Sequence, residues 1–230
     1  MAHMYLNAQQ LDPSRGSDGT DVKLRGTRCG ALYEVPWIHA LCLEGRVFGV
    51  QFGSANKNIT LVGTFGNAGA TIDLDEFDLL QTIPATVGIL PIYFKVAFSI
   101  IGTIAEAGAA LAWGAAGVAG ANPVAMVPYN MRPGSSNVSA CTIVGLCDDG
   151  GSASFVPAGV IYREASTSET GAATEPAQLG LEWSAATAGF VPVVEGLRGI
   201  DRQIAGWAKA QAGAGWINYV FAELPVSAIN

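Results

Sequence analysis

Residues Thr86–Thr103 read TVGILPIYFKVAFSIIGT, the most apolar run in the chain. A membrane span and a buried β-strand both use such runs, and internal pattern separates them better than bulk hydrophobicity. Leu90, Ile92, Phe94, Val96, Phe98, Ile100 and Ile104 fall on even positions, with only Gly102 breaking the series. The odd positions are mixed: Pro91, Tyr93, Lys95, Ala97, Ser99 and Thr103. A period of two sends successive side chains to opposite faces, so one face is oily and the other half-polar. A helix would scatter the same residues and turn Lys95 toward lipid, at a cost of a few kcal/mol at mid-bilayer. Phe, Ile, Val, Tyr and Thr are also the residues enriched in strands. The stretch reads as a long, half-buried strand.

Outward from it, the same punctuation recurs. The chain has 230 residues, 29 Gly and 11 Pro, spread between short apolar runs, which predicts an all-β domain. Ala31–Phe52 reads as two strands, LYEVPWIHALCL and RVFGVQF, separated by Glu44-Gly45. Ile59–Phe65 gives another, and the acidic run DLDEFDLL leads through Thr82-Ile83-Pro84 into the central strand. Ala105–Ala121 is so dense in Ala and Gly that a strand packed tightly against another surface is expected. Pro123, Pro128 and Pro133 mark a loop or edge segment, and Pro157 an edge or bulge in the strand Phe155–Arg163. Val138–Leu146 and Leu179–Val194 supply further strands, and Ala165–Ala177 is the clearest exposed loop. Gln203–Gln211 and Trp216–Leu224 flank Ala-Gly-Ala-Gly and read as a hairpin, with a helix over Leu197–Ala212 as the competing reading.

Residues 1–30 form a separate zone, poor in large apolar side chains and nearly balanced in charge. Such a segment does not fold alone, so an extended arm tied down by another surface is expected ahead of a single domain, 31–230. Residues 1–20 lack an apolar core, so no secretory signal is expected.

Only 13% of residues are charged, well below the usual quarter, which suggests that much of the surface meets protein rather than water. A net charge of −7 and dispersed Lys and Arg disfavour a nucleic-acid partner. The four cysteines, Cys29, Cys42, Cys141 and Cys147, show no CxxC spacing and read as free thiols of a reducing compartment.

Catalytic chemistry has few candidates. His3 and His39 are the only histidines. On a strand, the three-residue spacing of His39 and Cys42 puts them on opposite faces, against a nucleophile–base couple. Asp73, Asp75, Glu76 and Asp78 offer hard oxygens but lack the EF-hand pattern, so a solvated turn is the simpler reading. Trp37, Trp113, Trp183, Trp207 and Trp216 suit core and interface anchors better than a sugar platform. No catalytic, cofactor or metal residue is assigned.

With its polar arm, sparse charge, the central TIPATVGILPIYFKV and the closing WINYVFAELP, the chain resembles jelly-roll structural proteins of tailed bacteriophage virions. The resemblance spans about residues 70–225. It implies an all-β, jelly-roll-like antiparallel β-sandwich with an extended N-terminal arm. It also implies a non-enzymatic protein of cement, decoration or vertex type that stabilises the shell through subunit interfaces. Its expected partners are other virion proteins, the major capsid protein first, and further copies of itself, most naturally as a trimer. It would reside in the virion, assembled in the host cytoplasm, and bind neither nucleic acid nor membrane. A carbohydrate- or receptor-binding β-module is the alternative, and a membrane-inserting protein using residues 86–121 the third reading.

Overall fold

The central stretch is a strand of fourteen residues, and its neighbours are strands as well. The structure is a computed structural model and describes residues 6–7, 21–22, 36–53, 59–60, 77–100, 106–115, 123–145, 155–167, 179–196, 202–209 and 214–226. In chain order the elements are β1 (Leu6–Asn7), β2 (Asp21–Val22), α1 (Trp37–Leu43), β3 (Val47–Phe52), β4 (Ile59–Thr60) and β5 (Leu79–Ile83). There follow β6 (Val87–Ile100), β7 (Glu106–Ala115), β8 (Val124–Met126), β9 (Tyr129–Asn130), β10 (Thr142–Gly145) and β11 (Val156–Thr167). The chain closes with β12 (Leu179–Ser184), α2 (Ala185–Ala188), β13 (Val194–Glu195), β14 (Arg202–Lys209) and β15 (Ala214–Pro225). The protein is all-β, and every pairing among the described residues is antiparallel.

Two large sheets form. One has the order β11-β7-β14-β5-β10-β8, and the other β12-β6-β15-β3-β9, with β13 beside β6 and β4 beside β15. Both contribute to one core. Phe48, Phe94, Val96, Phe98, Ile217, Tyr219 and Phe221 come from the second sheet, and Leu79, Ile83, Ala109, Leu111, Ile143 and Ile204 from the first. Rings cross the gap, Phe94 meeting Tyr162 edge-on at 6.4 Å. In the arm, β1 and β2 pair with each other.

Strand β6 keeps the expected alternation only in its second half. Phe94, Val96 and Phe98 face the common core, but so do Val87 and Ile89, which have the opposite parity. The switch lies where Phe221 pairs with Pro91 and Val220 with Tyr93, leaving Ile92 as an extra residue. Such a bulge slips the strand by one and exchanges its faces. Pro91 has no N–H to give to the ladder, which suits that position. Leu90 and Ile92, expected on the core face, instead join a second cluster on the outer side of the sheet, with Val47 and Ala222.

That cluster is covered by a helix where a strand was expected. Pro36 stands at the N-cap of α1, and Ile38, Leu41 and Cys42 share one helical face against Val47, Ile92 and Ala222. The spacing i, i+3, i+4 is that of an amphipathic helix. The helix ends in a Schellman motif: Gly45, at φ 70°, donates to Cys42 O and Arg46 to Leu41 O, both at 2.9 Å.

The final pair of strands is also corrected. Both exist, but β14 pairs with β5 and β7 while β15 pairs with β3, β4 and β6. They belong to opposite sheets and form no hairpin; Ala214 and Gly215, expected in the turn, already belong to β15. The competing helix is absent over 202–209, which is strand. Ala165–Thr167, expected in a loop, end β11. The small-residue stretch behaves as expected: Ala107, Ala109, Ala110, Leu111 and Ala112 in β7 are fully buried. β11 is an edge strand with a register shift at Pro157/Gly159. Among the described residues no helix is long and apolar enough to cross a membrane.

Candidate functional site

The most elaborate polar construction lies where the α1–β3 turn meets the segment between β9 and β10. A helix leaves its last carbonyls without partners, and here side chains far along the chain supply them. Arg132 Nη1 donates to Leu43 O at 2.7 Å, placing a cation at the helix C-terminus. Asn137 Nδ2 donates to Glu44 O at 3.1 Å, and Asn130 Nδ2 to Gly45 O at 2.8 Å. Asn130 Oδ1 also accepts from Arg132 N at 2.9 Å, which braces the segment internally. The backbone joins in through Met131 N donating to Val47 O at 2.9 Å.

Glu223 in β15 holds the same segment further along. Its Oε1 accepts from Ser139 Oγ and its Oε2 from Ala140 N at 3.1 Å, while Ser139 Oγ accepts from Cys141 N. Glu44 and Arg46 form an ion pair at 3.1 Å. Between these groups opens a cleft of about 590 Å³, lined by Glu44, Arg46, Asn137 and Glu223 among polar residues and by Phe48, Val87, Val138 and Leu224 among apolar ones. The turn, the 131–140 segment and the end of β15 are thus cross-braced around an open, mixed-polarity cleft.

Beneath it the polar groups continue into the core. Cys141 is buried and its thiol free. Burial pushes that thiol far up, and the Glu223 carboxylate adds to the rise. The Gln81 amide beside it works the other way, yet Gln81 Nε2 makes no hydrogen bond of acceptable geometry; the sulfur is a weak electrostatic neighbour. Gln81 Oε1 accepts from Tyr219 OH at 2.9 Å, a link from β15 in one sheet to β5 in the other. A thiol held protonated is a poor nucleophile, so this chain of groups joins the two sheets more readily than it attacks a substrate.

On the outer face of the second sheet, Glu182 accepts from both Tyr93 OH and Lys95 Nζ at 3.2 Å. The Lys95 ammonium, followed by the Tyr93 hydroxyl, holds the Glu182 carboxyl below the usual carboxylate range.

The residues singled out from sequence fare unevenly. His39 is exposed on α1, not on a strand, and three residues along a helix bring it to the same side as Cys42. Cys42 packs against the sheet, however, and burial raises its thiol. Asp78 is fully buried, not a solvated turn residue. Asp73, Asp75, Glu76, Cys29, Cys147 and His3 lie outside the described residues, as does the side chain of Trp207. Trp183 is buried, Trp113 is half-buried, and Trp37 is exposed. Among the described residues, no group of three or more His, Cys, Asp or Glu is placed to hold a metal ion. The residues that build the cleft were not visible in sequence, because their hydrogen bonds span 83 to 93 positions. The one local signal was PYNMRPGSSNVS (128–139), a Pro-containing stretch loaded with short polar side chains that bond to backbone.

No family model matches the sequence, and no curated protein matches it as a relative.

Proposed function

We propose that the chain is a non-enzymatic structural protein of a virion, a jelly-roll subunit of cement or decoration type that works as a homo-oligomer, most naturally a trimer, on a capsid shell. The observation that carries this reading is the order of the strands. Eight of them pair in nested fashion: β7 with β11 innermost, then β6 with β12, then β5 with β14, and β3 with β15 outermost, with successive pairs alternating between sheets. Four nested pairs rolled into two sheets give the orders β11-β7-β14-β5 and β12-β6-β15-β3. Nesting of this kind supports a jelly roll, the architecture that viral coat domains share with lectins and cupins. Sparse charge and a net −7 add support for a partner that is protein and not nucleic acid.

The test is mass spectrometry of virus particles purified from the source of the sequence. The chain is expected in fixed proportion to the shell subunit. Particles that lack it, together with a monomeric chain in solution, overturn the proposal.

A second reading, a carbohydrate- or receptor-binding module, is favoured by the cleft, where Glu44, Arg46, Asn137 and Glu223 present planar polar groups of the kind that bond sugar hydroxyls. The tryptophans give it less support than the cleft does, because Trp183 is buried in the core.

A further inference from the structure

We infer that the side of the molecule formed by β8, β9 and the end of α1 is the surface through which copies of this chain associate; the inference rests on the homo-oligomer reading above and names its contact. Six large apolar side chains stand exposed there: Leu43, Val124, Val127, Tyr129, Met131 and Val138. Val127 and Val138 are 87% and 85% exposed, and Leu43 64%. They form one neighbourhood. Met131 N bonds Val47 O, Arg132 bonds Leu43 O, and Asn137, next to Val138, bonds Glu44 O. The Tyr129 ring lies over Gly49 of β3, so close that a Cβ there would strike it.

Six such side chains, each at least 42% exposed, amount to roughly several hundred Å², the size at which an exposed apolar patch marks an interaction site. It approaches the roughly 800 Å² that each partner buries in a stable complex. Tyr, Met and Arg are residues favoured at interface centres, where Lys, Asp and Glu are scarce. The bonds from Asn130, Arg132, Asn137 and Glu223 hold the surface in place beforehand, which lowers the entropy lost on association. Pro123, Pro128 and Pro133 remove backbone donors along this edge, so contact is by side-chain packing and not by strand addition.

Charge selects a second copy as the occupant. Residues 123–140 contain one charged side chain, Arg132, and its guanidinium is bonded to Leu43 O. The chain as a whole carries −7. Glu44 and Arg46 at the end of α1 offset each other in an ion pair. A strongly charged partner therefore finds little counter-charge here, whereas the same patch on another copy brings apolar surface with Arg132 as the only charge of residues 123–140. Around a two-fold or a three-fold axis the patch then meets itself.

Light scattering on the full chain, with the Val127→Asp/Val138→Asp double variant and Leu43→Glu, tests this. Both sets place charge at solvated positions, and circular dichroism checks the fold. Val160→Asp on β11, at the opposite edge of the first sheet, is the control. Wild type and control are expected at a multiple of 23.7 kDa and the patch variants at 23.7 kDa. An oligomer that survives both patch variants overturns this surface and leaves the homo-oligomer reading standing. Dissociation by the control as readily as by the patch variants also overturns the surface. A wild type that is monomeric at every concentration overturns both.

Discussion

Tyr219→Phe removes one oxygen from the centre of the core and leaves a buried amide without any partner. Tyr219 and Gln81 are fully buried, and their side chains meet at 2.9 Å across the gap between the sheets. Gln81 Nε2 already lacks a hydrogen bond. Without the tyrosine hydroxyl, Oε1 loses its partner as well, so neither end of the amide is satisfied. Stranding one such group costs about 1–3 kcal/mol. Packing does not change that sum, since a phenylalanine ring keeps the stacking on Phe221 at 5.2 Å and the edge contact with Phe94 at 6.4 Å. For a domain of this size each kcal/mol corresponds to about 2–4 °C in Tm.

The reverse substitution has a different balance. Gln81→Met strands the Tyr219 hydroxyl but also removes the unpartnered Nε2, so its cost is smaller. Removing both groups together is close to neutral, because two apolar side chains of similar shape leave nothing unsatisfied. Urea unfolding of the two single variants and the double therefore measures a coupling of about 1–3 kcal/mol. A Tyr219→Phe variant as stable as wild type, or a double variant whose loss equals the sum of the singles, refutes the reasoning.

Alkaline pH acts on the same cluster. Burial holds the Cys141 thiol and the Tyr219 hydroxyl above their ordinary ranges. The folded protein therefore keeps protons that the unfolded chain releases, and the stability they contribute is complete below the unfolded values and declines as pH rises past them. Those values are about 8.5 for a thiol and about 10 for a tyrosine. Urea midpoints are expected to fall from about pH 8.5 upward, and Cys141→Ala to make that fall shallower, since Cys42, also raised by burial, still contributes; a midpoint flat to about pH 11 contradicts the sign. Gly215→Ala is expected to cost about 1–3 kcal/mol, because the added Cβ would press on the carbonyl of Ala97, which is backbone and has no rotamer to escape by. A melt unchanged from wild type shows that the two strands can part without strain.

How far the sequence could be read depended on whether the controlling contact was local. The alternation of Phe94, Val96 and Phe98 is a property of consecutive residues, and it predicts their core face correctly. Leu90 and Ile92 fall on the outer face instead of the expected core face because one bulge, fixed by the partner β15, shifts the count by one. Pro91 was its only trace in sequence. In α1 the helical spacing of Ile38, Leu41 and Cys42 was present but only seven residues long, and its apolar composition equally suits a strand. Strands β14 and β15 were located but paired with each other, whereas they belong to opposite sheets. A short Gly-Ala connection permits both a hairpin and a crossing to the other sheet, and the choice rests on which neighbours remain open. Glu223, Arg132 and Asn137 had no reason to be grouped until the fold brought β15, α1 and the 131–140 segment together.

The mixed face of the central strand, with Tyr93, Ala97 and Ser99, suits cover by a second layer or by a neighbouring subunit. Half of that expectation is met from within: α1 lies over Leu90, Ile92 and Tyr93. Next to it runs a polar row, in which Gln51 pairs with Asn218, Asn218 with Lys95, and Lys95 with Glu182, and beyond that half-buried Trp216 stands beside Ala97. Docking another subunit there would require stripping water from an exposed ion pair, at a desolvation cost that a surface salt bridge does not repay. The apolar surplus sits instead at the edge formed by β8 and β9, where Arg132 is the one charged side chain of residues 123–140 and Glu44 and Arg46 beside it already pair with each other. On the proposed homo-oligomer reading, the same energetic argument that keeps water on the broad face of the sheet directs association to its side.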